Sequence, residues 1–360
     1  MSGFELLSVV LLLAAVLGVL NHRYVRMPRA IALMAGALLL SVILIVVDRL
    51  VDSVDLRATW EDVVATSDLP HVFLDGLLAF MLFAGSLHVD VDGLRSQKWT
   101  VLALATIGVI LATVLYGGGI WLVFGRAVPL PWCFALGALL APTDPIAVGA
   151  LLKDAGLPPG LLAVVNGESL FNDGVAVVVF AVTVDWANGQ TTSAGAIGLE
   201  LLVEGGGGVL LGLTTGYLAY RALHLANEPL LELTITLALV TVTYTIAAPL
   251  HVSGPLAVVA AGLVTGYRST RFAMTDVSRE QVLLFWDLMD ELLNAMLFLL
   301  LGFSLLSVEL NSGLLSAALG GIVLALVTRL VSVAVPTALV HLRRRPKRGS
   351  IAVLTWGGLR

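Results

Sequence analysis

Apolar windows of roughly 20 residues recur along this 360-residue chain, and each is long enough to cross a bilayer as a helix. They fall at residues 4–20, 30–48, 71–88, 99–124, 129–151, 160–186, 193–221, 230–250, 254–268, 283–307 and 314–341, and a twelfth begins near 350. Hydrocarbon offers no hydrogen bonds to a peptide backbone, so windows of this length must satisfy their own N–H and C=O groups as helices. Composition agrees. The chain is 58% hydrophobic and 12% charged, against about 25% charged in a soluble domain. The expectation is an all-α polytopic membrane protein of about twelve spans. A single cysteine, Cys133, excludes an internal disulfide, and no Cys/His spacing suggests zinc. Its expected role is small apolar packing.

Charge placement sets an expected orientation. Segment 4–20 has Glu5 and no Lys or Arg before it, and Arg23, Arg26 and Arg29 follow it. That order describes a retained helix with its N-terminus outside rather than a cleaved signal. One set of alternate connections holds fifteen of the 20 Lys and Arg, including Arg95, Lys98, Lys153, Arg221, Arg268, Arg271, Arg279 and the 343–348 cluster. The other set holds three, Arg49, Arg57 and Arg126. Positive residues mark the cytoplasmic side, so the basic loops are expected there, in the cell membrane and most simply a bacterial inner membrane. The acidic connection 49–70 then lies outside and reads as a solvated loop. The chain ends at Leu359-Arg360, a few residues into an apolar segment, and the expectation is that the natural protein continues.

Against this background Gly167-Glu168-Ser169-Leu170-Phe171-Asn172-Asp173-Gly174 stands out, because it puts two acids inside the apolar run 161–187. A charge near a bilayer centre costs about 2.5–3.5 kcal/mol on insertion scales, so acids there point to function. Ser169 and Asp173 share one helical stripe, and Glu168 and Asn172 share the next. One stripe suits an ion and the other its support. Polar packing between helices is the alternative for Ser169 or Asn172 alone.

A second feature interrupts the fifth window. In Ala141-Pro142-Thr143-Asp144-Pro145, Pro142 and Pro145 lack N–H groups and strip the carbonyls of Ala138 and Ala141 of helical partners. Irregular backbone at membrane depth is tolerated where it is buried in protein or lines a wet cavity. Freed carbonyls, the Thr143 hydroxyl and the Asp144 carboxylate suit a small hard cation. Arg329, deep within segment 314–341, needs a buried anion. Glu168 is the candidate, in a neutral pair that pins Asn172 on the same stripe. Arg360 is expected at another unwound turn, offsetting helix C-terminal dipoles.

Other polar residues carry less. Asp75 and His88 read as interfacial. Asp287, Asp290 and Glu291 read as an interfacial acidic face or part of a funnel, and Asn294 as a contact between helices. Gly205–Gly208 permit close helix packing or dimerisation. No Walker-type loop or nucleic-acid patch occurs, and the basic run at 343–348 follows from topology.

The paired motifs, Pro142-Thr143-Asp144-Pro145 and Gly167 to Gly174, closely resemble those of CPA1-type monovalent cation/proton antiporters, the NhaP-like sodium/proton exchangers. Leu82-Phe83-Ala84-Gly85, Arg329 and Gly357-Gly358-Leu359-Arg360 are similar to further landmarks of that family. The resemblance spans essentially the whole chain. It implies an inverted-repeat antiporter fold with interrupted, crossing helices. The core would be formed by about 71–186 and 283–360, with dimerisation or scaffold helices at about 4–48 and 193–268. It implies a homodimer, ion contacts from Thr143, Ser169 and Asp173 with Asp144 nearby, and a structural Glu168–Arg329 pair. Two departures stand out: many relatives carry Glu at the position of Ala84, and the family continues beyond the twelfth helix.

The expected activity is secondary transport, not enzymatic catalysis, and it needs no cofactor beyond transported sodium and protons. An apolar surround disfavours a carboxylate's charged form, so proton and sodium would compete for Asp173. Exchange follows if the empty charged site cannot cross while either loaded form can. Asn172 beside Asp173 leaves one titratable group, and by the resemblance that implies electroneutral exchange. Potassium/proton antiport is the rival within the class, since the same oxygens ligate either ion. An intramembrane aspartyl protease using Asp144 and Asp173 leaves the double-proline break and Asn172 without a role, and neither acid has a Gly-x-Gly-Asp setting. A non-transporting membrane sensor is the third reading.

Overall fold

The computed structural model describes residues 3–50, 76–123, 127–143, 157–189, 194–226, 228–269, 273–308, 312–340 and 349–358. Among these residues the chain is helical without strands. Eight helices among the described residues are long and apolar enough to cross a membrane, and Leu78–Leu87 and Leu130–Leu139 are shorter apolar helices. Large apolar side chains stay exposed on many of them, including Leu202, Leu210 and Leu218 on the Ala194–Leu223 helix. Such surfaces require lipid or a partner around them.

Two helices start earlier than hydropathy alone predicts. The fourth window was expected from 99, but the helix begins at Val91, where the Asp90 carboxylate accepts a hydrogen bond from the Asp92 N–H at 3.2 Å. The tenth was expected from 283, yet the Asp276–Phe303 helix has Thr275 Oγ1 accepting from the Ser278 N–H at 3.2 Å. Polar caps begin both helices outside the apolar stretch, where a hydropathy window is blind. From Val91 the chain remains helical to Val123, widening to a π turn at Leu104–Gly108.

The chain forms two compact units. One contains residues 1–81 and 284–311. Its helices Gly3–Leu20 and Arg29–Leu50 are joined by a turn in which the Asn21 amide clasps Met27, donating to its carbonyl (2.9 Å) and accepting from its N–H (3.0 Å). Leu6, Val10, Ala37, Met296 and Leu299 form its core. Ser41 Oγ donates to the Gly302 carbonyl at 3.0 Å. Arg29 pairs with Glu291 at the surface, and Asp287 is exposed. The Asn294 amide, buried at 5% exposure, donates to the Asp290 carbonyl one turn back on its own helix, at 2.9 Å.

The other unit contains residues 82–283 and 312–360. Its helices approach closely at several glycines that lack a Cβ. A Cβ on Gly117 would lie 2.7 Å from the Cys133 carbonyl oxygen, and Cys133 is itself buried as an apolar side chain. Gly208, Gly212 and Gly216, spaced one turn apart, face Ser253, Ala257 and Ala261. The Gly205–Gly208 region therefore packs against the start of the Gly254–Val264 helix. His88 is exposed, with Nδ1 3.0 Å from the Ala84 carbonyl. Asp75, residues 51–70 of the acidic connection and the 343–348 cluster lie outside the described residues.

Candidate functional site

The Pro159–Ala187 helix organises the site. It has 29 residues, a length of about 43 Å at 1.5 Å per residue. It opens with Pro159 in its first turn, where a missing N–H costs nothing. Asp173 is its central residue, with 14 residues on either side, so an acid stands about 21 Å from each helix end. Glycine seats the helix among its neighbours: a Cβ on Gly167 would lie 2.5 Å from Leu94 Cδ1, and one on Gly174 would strike Leu256.

The Leu130–Leu139 helix stops three residues before Pro142, and Leu140 adopts φ −93°, ψ −1°. Leu140 still donates to the Leu136 carbonyl at 3.1 Å. Proline disfavours the α region for Ala141 before it, so the helix ends just upstream of the ring. The break leaves Thr143 buried at 5% exposure with its backbone groups free of the helical ladder. The central helix reaches back to hold it. Ser169 Oγ donates to the Thr143 carbonyl, and Asn172 Nδ2 donates to Thr143 Oγ1 at 2.8 Å. Ser169 and Asn172 are three apart and meet one target from one face.

This geometry revises one expectation. The Glu168–Arg329 pair was expected to pin Asn172, which shares the Glu168 stripe. In the fold Asn172 clamps Thr143 while Glu168 turns to Arg329, because four residues at 100° each leave the two about 40° apart around the helix. Arg329 Nη1 donates to Glu168 Oε1 at 2.6 Å, with side chains 13% and 4% exposed. Arg329 Nη2 donates to the Leu354 carbonyl at 2.9 Å. That carbonyl lies in the last turn of the Ser350–Gly357 helix, where helical partners run out. Gly358 lies against the guanidinium, and a Cβ there would collide with it. Nothing in the sequence marked the Leu354 carbonyl as a partner of Arg329.

Around Thr143 the arrangement offers oxygens. Asp173 is half-buried. Its neighbour Asn172 is 1% exposed, with Oδ1 buried and without a hydrogen-bond partner. Ser169 Oγ keeps its lone pairs while donating, and the Thr143 carbonyl has a second lone pair. Gly85 sits 3.9 Å, measured from an added Cβ, from Leu170 Cδ1, which brings the Leu82–Gly85 segment beside this helix. Ala84 is buried and offers no side-chain oxygen. Pro142 is half-buried. Asp144, Pro145 and Arg360 lie outside the described residues. Among the described residues no group of three or more His, Cys, Asp and Glu could hold a metal ion.

A family model described as the transmembrane sodium/hydrogen exchanger matches residues 9–360. The chain belongs to that family. Within it, the chain is 40% identical to the Na(+)/H(+) antiporter NhaP of Pseudomonas aeruginosa over 367 residues, covering 99% of this chain and 86% of that one. It is 32% identical to the Na(+)/H(+) antiporter NhaH of Halobacillus dabanensis over 292 residues, covering 79% and 70%. Among solved structures it matches the sodium proton antiporter MjNhaP1 from Methanocaldococcus jannaschii with TM-score 0.73 and 18% identity, covering 99% of this chain and 82% of that one. The fold is therefore that of the sodium/hydrogen exchangers. The protein is an integral membrane transporter rather than an enzyme, and the protease reading falls away.

Proposed function

We propose that this exchanger moves sodium against protons through one site, with the two ions competing for the Asp173 carboxylate. The observation that carries the reading is the position of Asp173 at the midpoint of a 29-residue helix, next to an Asn172 hydrogen-bonded to Thr143 at the broken turn. Thr143, Ser169 and Asp173 would supply oxygens to sodium, with Asp144 beside them. Asn172 and the proline turn would hold the cradle open, and Glu168 with Arg329 would fix its frame. The names of the relatives favour sodium over potassium. One carboxylate at the site, neutralised by either ion, fits electroneutral one-for-one exchange.

Transport then requires the loaded, neutral site to cross a barrier that the bare carboxylate cannot. Helices near 71–186 and 283–360 would move as the core against a dimeric scaffold formed by 4–48 and 193–268. The basic connections would face the cytoplasm in the cell membrane. The experiment is proton flux driven by sodium, lithium or potassium in proteoliposomes across a pH series. Competition predicts that the sodium concentration for half-maximal flux rises about tenfold per pH unit on the acid side, with potassium a poor driver. A half-saturating concentration that does not change with pH would overturn competition at one carboxylate.

A further inference from the structure

A carboxylate is buried outright at the end of the hairpin that carries Arg268. Glu232 lies in the first turn of the Pro229–Ala247 helix, is 0% exposed, and has no hydrogen-bond partner on either oxygen. None of the hydrogen bonds joining Thr143, Glu168, Ser169, Asn172 and Arg329 involves it. The chain turns after Ala247 into the Gly254–Val264 helix and a π turn at Thr265–Ser269. Ser269, at the end of that returning segment, is 0% exposed with an unpartnered hydroxyl. Ser278, 1% exposed, lies beside the carboxylate.

Among the described residues no cation answers this carboxylate. On the neighbouring Ala194–Leu223 helix Arg221 is exposed, as is His224 just beyond it. On the hairpin itself Glu228 and Arg268 are exposed and Tyr267 is half-buried. On the helix bearing Ser278, Arg279 pairs with Asp276 at 3.1 Å, and Glu280 is exposed. An ionised carboxylate with no partner costs several kcal/mol to bury, whereas a neutral acid asks only for hydrogen bonds, which serine hydroxyls can supply. A hard metal cation would need a shell of six or so oxygens, and two serines do not provide one.

We propose that Glu232 is a second proton-binding site, separate from the exchange site, and that it holds its proton in the folded protein at neutral pH. The folded chain then keeps a proton that the unfolded chain has released. Fewer protons bound in the unfolded state means that stability falls as pH rises. Loss of this proton leaves an uncompensated charge buried at the start of the Pro229–Ala247 helix.

The test is thermal unfolding of the purified full chain in detergent, comparing wild type with Glu232→Gln from about pH 5 to pH 9. The amide keeps the neutral shape, so the two should unfold together at the acid end, with the variant higher by several degrees at the alkaline end. An equal difference at every pH, or a variant less stable throughout, overturns the proposal. Infrared spectroscopy at neutral pH provides a second readout. A protonated-carboxyl C=O band should vanish in Glu232→Gln, shift in Glu232→Asp, persist in Asp173→Asn and ignore added sodium. A band that neither Glu232 variant alters, or one that sodium removes, overturns it. Because the band is read with Asp173 replaced, the outcome is independent of the exchange reading.

Discussion

Arg329 shows how much one residue inside a membrane protein must settle. Its guanidinium meets Glu168 on one side and the Leu354 carbonyl on the other, with Gly358 leaving it room. Removing one partner of a buried pair strands the other and costs about 3–5 kcal/mol. Arg329→Gln is therefore expected to lower the unfolding temperature sharply. The double variant Glu168→Gln/Arg329→Gln should recover part of that loss, as thermal melts of the four proteins in a double-mutant cycle would show. The need for an anion was legible in the sequence from an arginine set deep in an apolar window, and so was Glu168 as its partner. The Leu354 carbonyl was not, because a backbone group at a helix end has no identity in sequence. Asn172 was legible as part of the site but not in its contact, since residues at i and i+4 diverge enough to reach different helices.

At the scale of helices, hydropathy located the apolar stretches but set two boundaries late. Val91 and Asp276 start helices that Asp90 and Thr275 cap in polar sequence. The proline turn was visible at once, because a ring without an N–H ends a helix wherever it falls. Glycine is the less legible signal: the sequence shows where a Cβ is missing, not what fills its place. Gly206 and Gly212 make the contrast. A Cβ on Gly206 meets nothing within 4 Å, whereas one on Gly212 collides with the Ala257 carbonyl oxygen. Gly206→Ala should hold or raise stability by up to about 1 kcal/mol through helix propensity. Gly212→Ala forces backbone apart and should cost about 1–3 kcal/mol. Unfolding midpoints of the two variants in detergent separate these outcomes, and equal effects would refute the packing described between the Ala194–Leu223 and Gly254–Val264 helices.

The whole molecule joins a legible scaffold to a chemically sparse site. Windows of apolar residues force helices, and the family match over residues 9–360 gives those helices their fold. Within that frame the 161–187 run and the broken turn depart from apolar composition, and they meet at Thr143. Function is concentrated where the sequence pays to keep polar groups. The central claim is that Asp173 exchanges a proton for sodium. Sodium-driven proton flux by Asp173→Asn in proteoliposomes, with protein folding checked by its unfolding midpoint, measures this directly. The account predicts a folded protein whose flux falls to that of empty liposomes, and flux persisting at the wild-type rate would contradict it.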